Sequence, residues 1–278
     1  MKTQSQEEEY VSGLELFLNA SHEDRLIPEG IIKQMPIFAS RCFQKLKTAK
    51  TFKILDVGSG NGQKAIYLAQ KLTIDNPHLK ITIDAIEPKL EQVEHLRENY
   101  KNTNFLGAIF TDTLGNALLE GKYDLVLILH SLYEFPRTID DYILSLDRIS
   151  KILANDGWGV IAIESPEGEF QKMKRELYPR FQKRQHLSLS LVTNTLDKIK
   201  IPYRLGELIE YNSPINPLLP PEEIGKQFAF LFSDSLTETP LENEEYIIVG
   251  EWIKNNYHQE NDTYYLYTPD ILIWLNNV

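Results

Sequence analysis

The chain has 278 residues, is 42% hydrophobic and 10% aromatic, and carries a formal net charge of −11. This length and apolar content imply one large α/β domain, or a core with a small accessory lobe. The acidity argues against a nucleic-acid phosphate backbone as partner, which needs concentrated Lys and Arg. The only cysteine is Cys42, which excludes an internal disulfide and predicts a reducing, cytoplasmic setting. The acidic opening MKTQSQEEEY does not read as a signal peptide, and no apolar run reaches the roughly 20 residues of a membrane span.

In chain order, Tyr10 to Ala20 carries a helical apolar stripe, and Pro28 opens a second helix running towards Lys50. Phe52 to Val57 is an apolar strand that stops in Gly58-Ser59-Gly60-Asn61-Gly62, where every second residue is glycine. Gln63 to Leu72 then reads as a helix. Strand Ile81–Ile86, helix Pro88–Tyr100, strand Asn104–Phe110 and strand Tyr123–Leu129 follow. A helix from Thr138 to Leu153, ended by Asn155-Asp156-Gly157, leads to strand Trp158–Glu164. Apolar runs without alternation, separated by helices, predict a parallel sheet covered on both faces and wound in both directions from its first strand.

Beyond Ser165 the pattern changes. Glu167 to Arg184 reads as a charged helix interrupted at Pro179, Ser188 to Lys200 as a helix, and Tyr203 to Tyr211 as a strand. A Pro-rich loop over 212–221 precedes a helix from Pro221 to Ser233. Glu242 to Tyr257 is a last helix, and Thr263 to Leu275 a broken strand or hairpin pair containing Pro269. The expected organisation is an N-terminal helical cap over 1–50, a Rossmann-like core over 51–165, and the last strands with pocket-forming insertions over 166–278.

The glycine loop carries the chemistry. Glycine admits backbone conformations that place a main chain close to a ligand, and a helix start beyond it offers unpaired N–H groups. An ordinary tight turn rarely needs three glycines in five residues. The spacing Gly58-x-Gly60-x-Gly62 is shorter than the G-x-G-x-x-G dinucleotide fingerprint and lacks the Lys-Ser/Thr of a phosphate-binding loop. That disfavours an NAD(P)-dependent enzyme and suits a nucleoside bearing an amino-acid tail. Glu87, at the end of the second strand before Pro88, is placed to accept hydrogen bonds from ribose hydroxyls; a helix-entry carboxylate favoured by the dipole is its plainer role. Asp112, in Phe110-Thr111-Asp112-Thr113, can accept from an exocyclic amine or serve as an N-cap.

LDVGSGNG, Glu87, Asp112 and the buried strand YDLVLILH together resemble class I S-adenosylmethionine-dependent methyltransferases over roughly residues 50–165. Along most of its length the chain is also similar to the histamine N-methyltransferase family. The stretches that match are YVSGLELFLNASHE, KILDVGSGNG, IEPKLEQVEHL, YDLVLILHSLY and GEFQKMKRELYPRF. The resemblance implies that Gly58, Glu87, Gln92 and Asp112 contact S-adenosylmethionine. Ser59, Gly60, Gly62, Pro88, Thr111 and Leu129 complete the expected cofactor contacts.

For the methyl acceptor, the resemblance places an amine-binding carboxylate at Glu23, in the loop after the first helix. It puts His130 where the family has a ring-binding glutamine, Tyr267 near a family asparagine, and Tyr133 and Glu134 on two pocket tyrosines. His130 and Tyr133 are the expected catalytic or orienting pair. Tyr10, Glu23, Glu134, Phe170, Phe181 and Tyr267 are the expected substrate contacts, although any single aromatic serves equally well as core. The expected function is N-methylation of a small amine or imidazole-type molecule by a cytoplasmic monomer, with no metal, nucleic acid or membrane partner. A small-molecule O- or carboxyl-methyltransferase, or a non-catalytic S-adenosylmethionine-binding module, are the alternatives.

Overall fold

A computed structural model describes residues 17, 21–119, 121–132, 139–181, 187–232 and 241–276. In chain order it contains α1 (Glu23–Phe38), α2 (Ser40–Thr48), β1 (Thr51–Val57), α3 (Gln63–Asp75), β2 (Lys80–Ile86), α4 (Leu90–Tyr100) and β3 (Leu106–Phe110). These are followed by β4 (Tyr123–Leu129), α5 (Ile139–Ile152), β5 (Leu153–Glu164), α6 (Glu169–Leu177), α7 (Leu189–Lys198), β6 (Tyr203–Ile209) and β7 (Asn212–Pro214). Last come α8 (Pro221–Phe228), continued by a 3-10 turn over Ala229–Phe232, then α9 (Asn243–Asn256), β8 (His258–Glu260), β9 (Thr263–Tyr267) and β10 (Asp270–Asn276).

Seven strands form one sheet in the order β3-β2-β1-β4-β5-β10-β6, and three form a second in the order β7-β9-β8. In the larger sheet β1 pairs in parallel with β2 and β4, β2 with β3, and β4 with β5. Its order reverses at β1, as the alternation of buried strands and helices predicts, so β1 and β4 open the crevice where such sheets take ligands. All seven residues of β4 are buried, and each large apolar side chain removed from water there contributes roughly 1.5–3 kcal/mol.

The chain divides into two compact units. The first comprises Asp24–Ile163, Ser190–Glu207 and Ile271–Val278. Within it Asp84, on β2, ties its strand to β1, β3 and β4. Its carboxylate accepts from Ala108 N (2.8 Å) and the Tyr123 hydroxyl (2.9 Å) and pairs with Lys53 Nζ at 2.9 Å. Cys42 is buried, and burial pushes its thiol well above the ordinary range, which leaves it an inert core residue. The second unit comprises Met1–Glu23, Glu164–Leu189 and Leu208–Asp270. Its interior holds an aromatic cluster and a buried ion pair, Lys174 Nζ to Glu164 Oε1 at 2.5 Å, with Gln171 Nε2 donating to Glu164 Oε2.

Several expectations about elements are corrected. The expected Pro28–Lys50 helix is two helices broken at Ala39. The first starts at Glu23, with Pro28 inside it, so Glu23 is helical rather than part of a loop. Asn155-Asp156-Gly157 does not end a helix; it lies within β5, where pairing with β4 shifts register between Tyr123 and Leu125. A Cβ on Gly157 would lie 2.5 Å from the Tyr123 carbonyl oxygen, so the turn-like sequence serves a close backbone approach. Of the two readings of Thr263–Leu275, the broken strand holds and the hairpin does not, because β9 joins the small sheet and β10 the large one. The supposed Pro-rich loop contributes β7. The expected Tyr10–Ala20 helix lies, apart from Phe17, outside the described residues.

Candidate active site

β1 delivers the glycine loop, whose three glycines all take left-handed backbone: φ is +66° at Gly58, +53° at Gly60 and +78° at Gly62. Gly58 N and Ser59 N both donate to the Ile86 carbonyl, at 2.8 and 3.0 Å, fastening the loop to the end of β2. A Cβ on Gly58 would meet Ser131 Cβ at 2.3 Å, and one on Gly62 would meet Tyr100 Cε2 at 2.6 Å. The first and third glycines are therefore demanded by the protein's own packing. A Cβ on Gly60 would meet only Gln92 Oε1, at 3.9 Å. The open approach to backbone expected of the whole loop thus belongs to Gly60, with Gln92 beside it. At the start of α3, Asn61 Oδ1 accepts from Gln63 N at 3.1 Å.

Glu87 is buried and holds two parts of this region together. Its Oε2 accepts from Gly60 N at 2.8 Å and its Oε1 from Lys89 N at 2.9 Å. A carboxylate has about four acceptor positions, so two stay available for vicinal hydroxyls. Pro88, next to it, is exposed. Thr111 and Asp112 are exposed beyond β3, where Asp112 Oδ1 accepts from Thr113 N (2.7 Å) and Asn116 Nδ2 (3.2 Å). Among the described residues a turn and no helix follows it before β4, so Asp112 is not the helix N-cap of the second expected role. Leu129 closes β4 and is buried.

His130 follows Leu129 at the carboxyl end of β4. Its φ of +60° is unusual for a residue with a side chain, and its N–H donates to the Ala162 carbonyl at 3.1 Å. Such strain gathers where a side chain must be aimed. Ser131, next in the chain, donates its hydroxyl to the Val57 carbonyl.

Of the residues expected to contact the acceptor, Tyr10, Tyr133 and Glu134 lie outside the described residues. Glu23 is 3% exposed, and its Oε2 lies 3.4 Å from the Tyr211 hydroxyl, which also donates to Asp270 Oδ2 at 2.8 Å. Asp270 is fully buried. Burial, with Asp270, Glu23 and Glu164 nearby, pushes the Tyr211 hydroxyl well above its usual range. Phe170 packs its ring on Phe17 and Phe228, and Phe181 on Phe232, with centroids 5.5–5.8 Å apart. Tyr267 is on β9, its hydroxyl donating to Glu210 Oε1 at 3.0 Å; burial and Glu210 raise it to about 12.

Sequence reasoning missed Asp56, Ser131, Tyr100, Tyr211 and Asp270. Asp56 stood inside the quoted loop motif and is its one legible omission. It is buried at the end of β1, and burial pushes its carboxyl up to about 7 against the pull of the Lys64 ammonium and a Ser59 hydrogen bond. Lys64 itself pairs with Asp24 Oδ1 at 3.1 Å. Tyr211 and Asp270 carried no local signal, since Tyr211 meets Glu23 across 188 and Asp270 across 59 positions of sequence.

A seven-stranded, mostly parallel sheet whose order reverses at a strand ending in this loop defines a Rossmann-like, S-adenosylmethionine-dependent methyltransferase. The open backbone at Gly60 and the remaining acceptor positions of Glu87 fit the donor's ribose and amino-acid tail. Residues 48–209 match the family described as a methyltransferase domain, more than half of the chain, and the protein belongs to that family. It is an enzyme, and its methyl donor is S-adenosylmethionine. The chain is similar to histamine N-methyltransferase of Bos taurus, 26% identical over 244 residues that cover 83% of this chain and 80% of the relative. It is also similar to carnosine N-methyltransferase 2 of Gallus gallus, 25% identical over 217 residues covering 72% and 64%. The solved structure of the YcgJ protein of Bacillus subtilis shares the fold, with TM-score 0.54, 14% identity, and coverage of 86% of this chain and 99% of the other. Among the described residues no helix is long and apolar enough to cross a membrane.

Proposed function

We propose that the enzyme N-methylates a small amine whose positive group is held by Glu23. The carrying observation is the Glu23 carboxylate, 3% exposed and within reach of a hydroxyl that also serves Asp270. The Tyr211 hydroxyl holds this carboxylate in place, and a carboxylate is the side chain that pairs with an ammonium ion. Relatives named for histamine and carnosine, both N-methyltransferases, support the same reading. In it, residues 51–165 carry the donor side, while 1–50 and 166–278 carry the acceptor side.

S-adenosylmethionine supplies a methyl group already activated on a sulfonium, so catalysis is chiefly alignment of a neutral nitrogen lone pair. Glu87, itself held by the Gly60 N–H, and Gln92 hold the donor's nucleoside, and Gly58 and Asp112 complete its contacts. Glu23 binds the acceptor's cation. His130, aimed by its left-handed backbone, orients the nucleophilic nitrogen and takes up the proton it releases on a ring nitrogen.

The test is a methylation screen of amines, phenols and carboxylic acids with wild type and Glu23→Gln. Amines should be turned over, and the variant should raise their KM roughly 10- to 100-fold, the loss of one charge-assisted contact. S-adenosylmethionine affinity, read by calorimetry, should stay unchanged. Turnover confined to phenols or acids, or unchanged affinity and turnover for every amine in the variant, overturns the reading.

A further inference from the structure

The small sheet carries a second feature suited to cations. On β9, Tyr265 and Tyr267 stand two residues apart and so share a face. With Tyr211, Glu169, Glu210 and His258 they line a cavity of about 480 Å³. That is room for a small organic ion, and no lysine or arginine stands among the described lining residues.

Both carboxylates are fixed in position. The Tyr267 hydroxyl donates to Glu210 Oε1 at 3.0 Å, and His258 Nε2 lies 2.9 Å from Glu169 Oε1. Glu169 Oε2 is buried with no hydrogen-bond partner among the described residues. Tyrosine rings beside two held carboxylates favour a weakly hydrated cation. Alkylammonium groups are drawn to aromatic faces as well as to negative charge. A divalent metal instead needs several oxygen or nitrogen ligands converging on one point, and no such group of three or more is present among the described residues.

We infer that this cavity, which shares Tyr211 with the Glu23 carboxylate, is a binding site for a small alkylammonium ion. The inference does not rest on methyl transfer, and its test contains no methyl donor. Choline and its uncharged isostere, with carbon in place of nitrogen, are titrated into the full-length protein and followed by saturation-transfer NMR on their methyl protons. Choline should saturate and the isostere should not. Glu210→Gln, Glu169→Gln and Tyr267→Leu should each weaken choline at least about threefold, the range for a ring face or a partly exposed charge contact. Glu210 is exposed, so its variant keeps the site testable if the other two do not fold. A wild type without saturable choline binding, equal binding of the isostere, or unchanged affinity in every folded variant overturns the inference.

Discussion

The Cβ of Ser131 occupies the space a Cβ on Gly58 would need, 2.3 Å away, while the Ser131 hydroxyl holds the Val57 carbonyl just before that glycine. Gly58→Ala should therefore cost about 2–4 kcal/mol, combining overpacking with a left-handed alanine. Ser131→Gly should relieve the overpacking part, so a double-mutant cycle by urea denaturation should give a coupling energy of about 1 kcal/mol or more. Strict additivity would show that the two residues do not constrain each other.

Glu87 couples the glycine loop to the start of α4 through one hydrogen bond from each side. Glu87→Ala removes the acceptor for Gly60 N–H together with the positions left for the donor's hydroxyls. S-adenosylmethionine affinity should fall roughly 10- to 100-fold by calorimetry. Gly60→Ala should weaken affinity too, yet destabilise the fold less than Gly58→Ala, because only its φ of +53° is violated and no neighbour is struck.

Asp56 sets a pH dependence. Burial raises its folded pKa to about 7 from 3.8, so between those values the folded chain holds a proton that the unfolded chain has released. Stability from this group then falls as pH rises, by roughly 4 kcal/mol in total across that window. Asp56→Asn removes the term. Stability of the variant relative to wild type should thus rise from pH 4 to pH 7 in urea titrations. A difference that is flat in pH would show that Asp56 titrates as it does in water.

Lys174 and Glu164 are both nearly inaccessible, and their ion pair lies within hydrogen-bond range of Gln171. Lys174→Met leaves a buried carboxylate without its cation, which should cost about 3–5 kcal/mol. Adding Glu164→Leu should recover much of that loss, since an apolar pair of similar volume is often neutral. Thermal unfolding of the three variants checks both expectations, and a double variant no better than Lys174→Met would refute the second.

The large sheet was legible because its strands announce themselves locally. Tyr123–Leu129 is apolar throughout, and every residue of it is buried. The glycine loop was legible because left-handed backbone at alternate positions favours glycine, and close packing at Gly58 and Gly62 admits no side chain. Short strands were not: His258–Glu260 and Asn212–Pro214 hold three residues each and exist only through pairing with β9. The Tyr211 contacts with Glu23 and Asp270 escaped for the same reason, being made by the fold between segments distant in sequence. Glu23 itself was placed by resemblance, and nothing in its neighbours signalled its burial.

The crossing from the small sheet to the large one, between Tyr267 and Asp270, has a bearing on synthesis. β6 has a single neighbour in its sheet, β10, which emerges from the ribosome long after it. Until β10 is made, β6 cannot pair, and the outer edge of β5 exposes unbonded N–H and C=O groups. The nascent enzyme must therefore pass through a stage in which the edges of β5 and β6 that β10 later covers are both open, the situation in which chaperones protect a chain from edge-to-edge association.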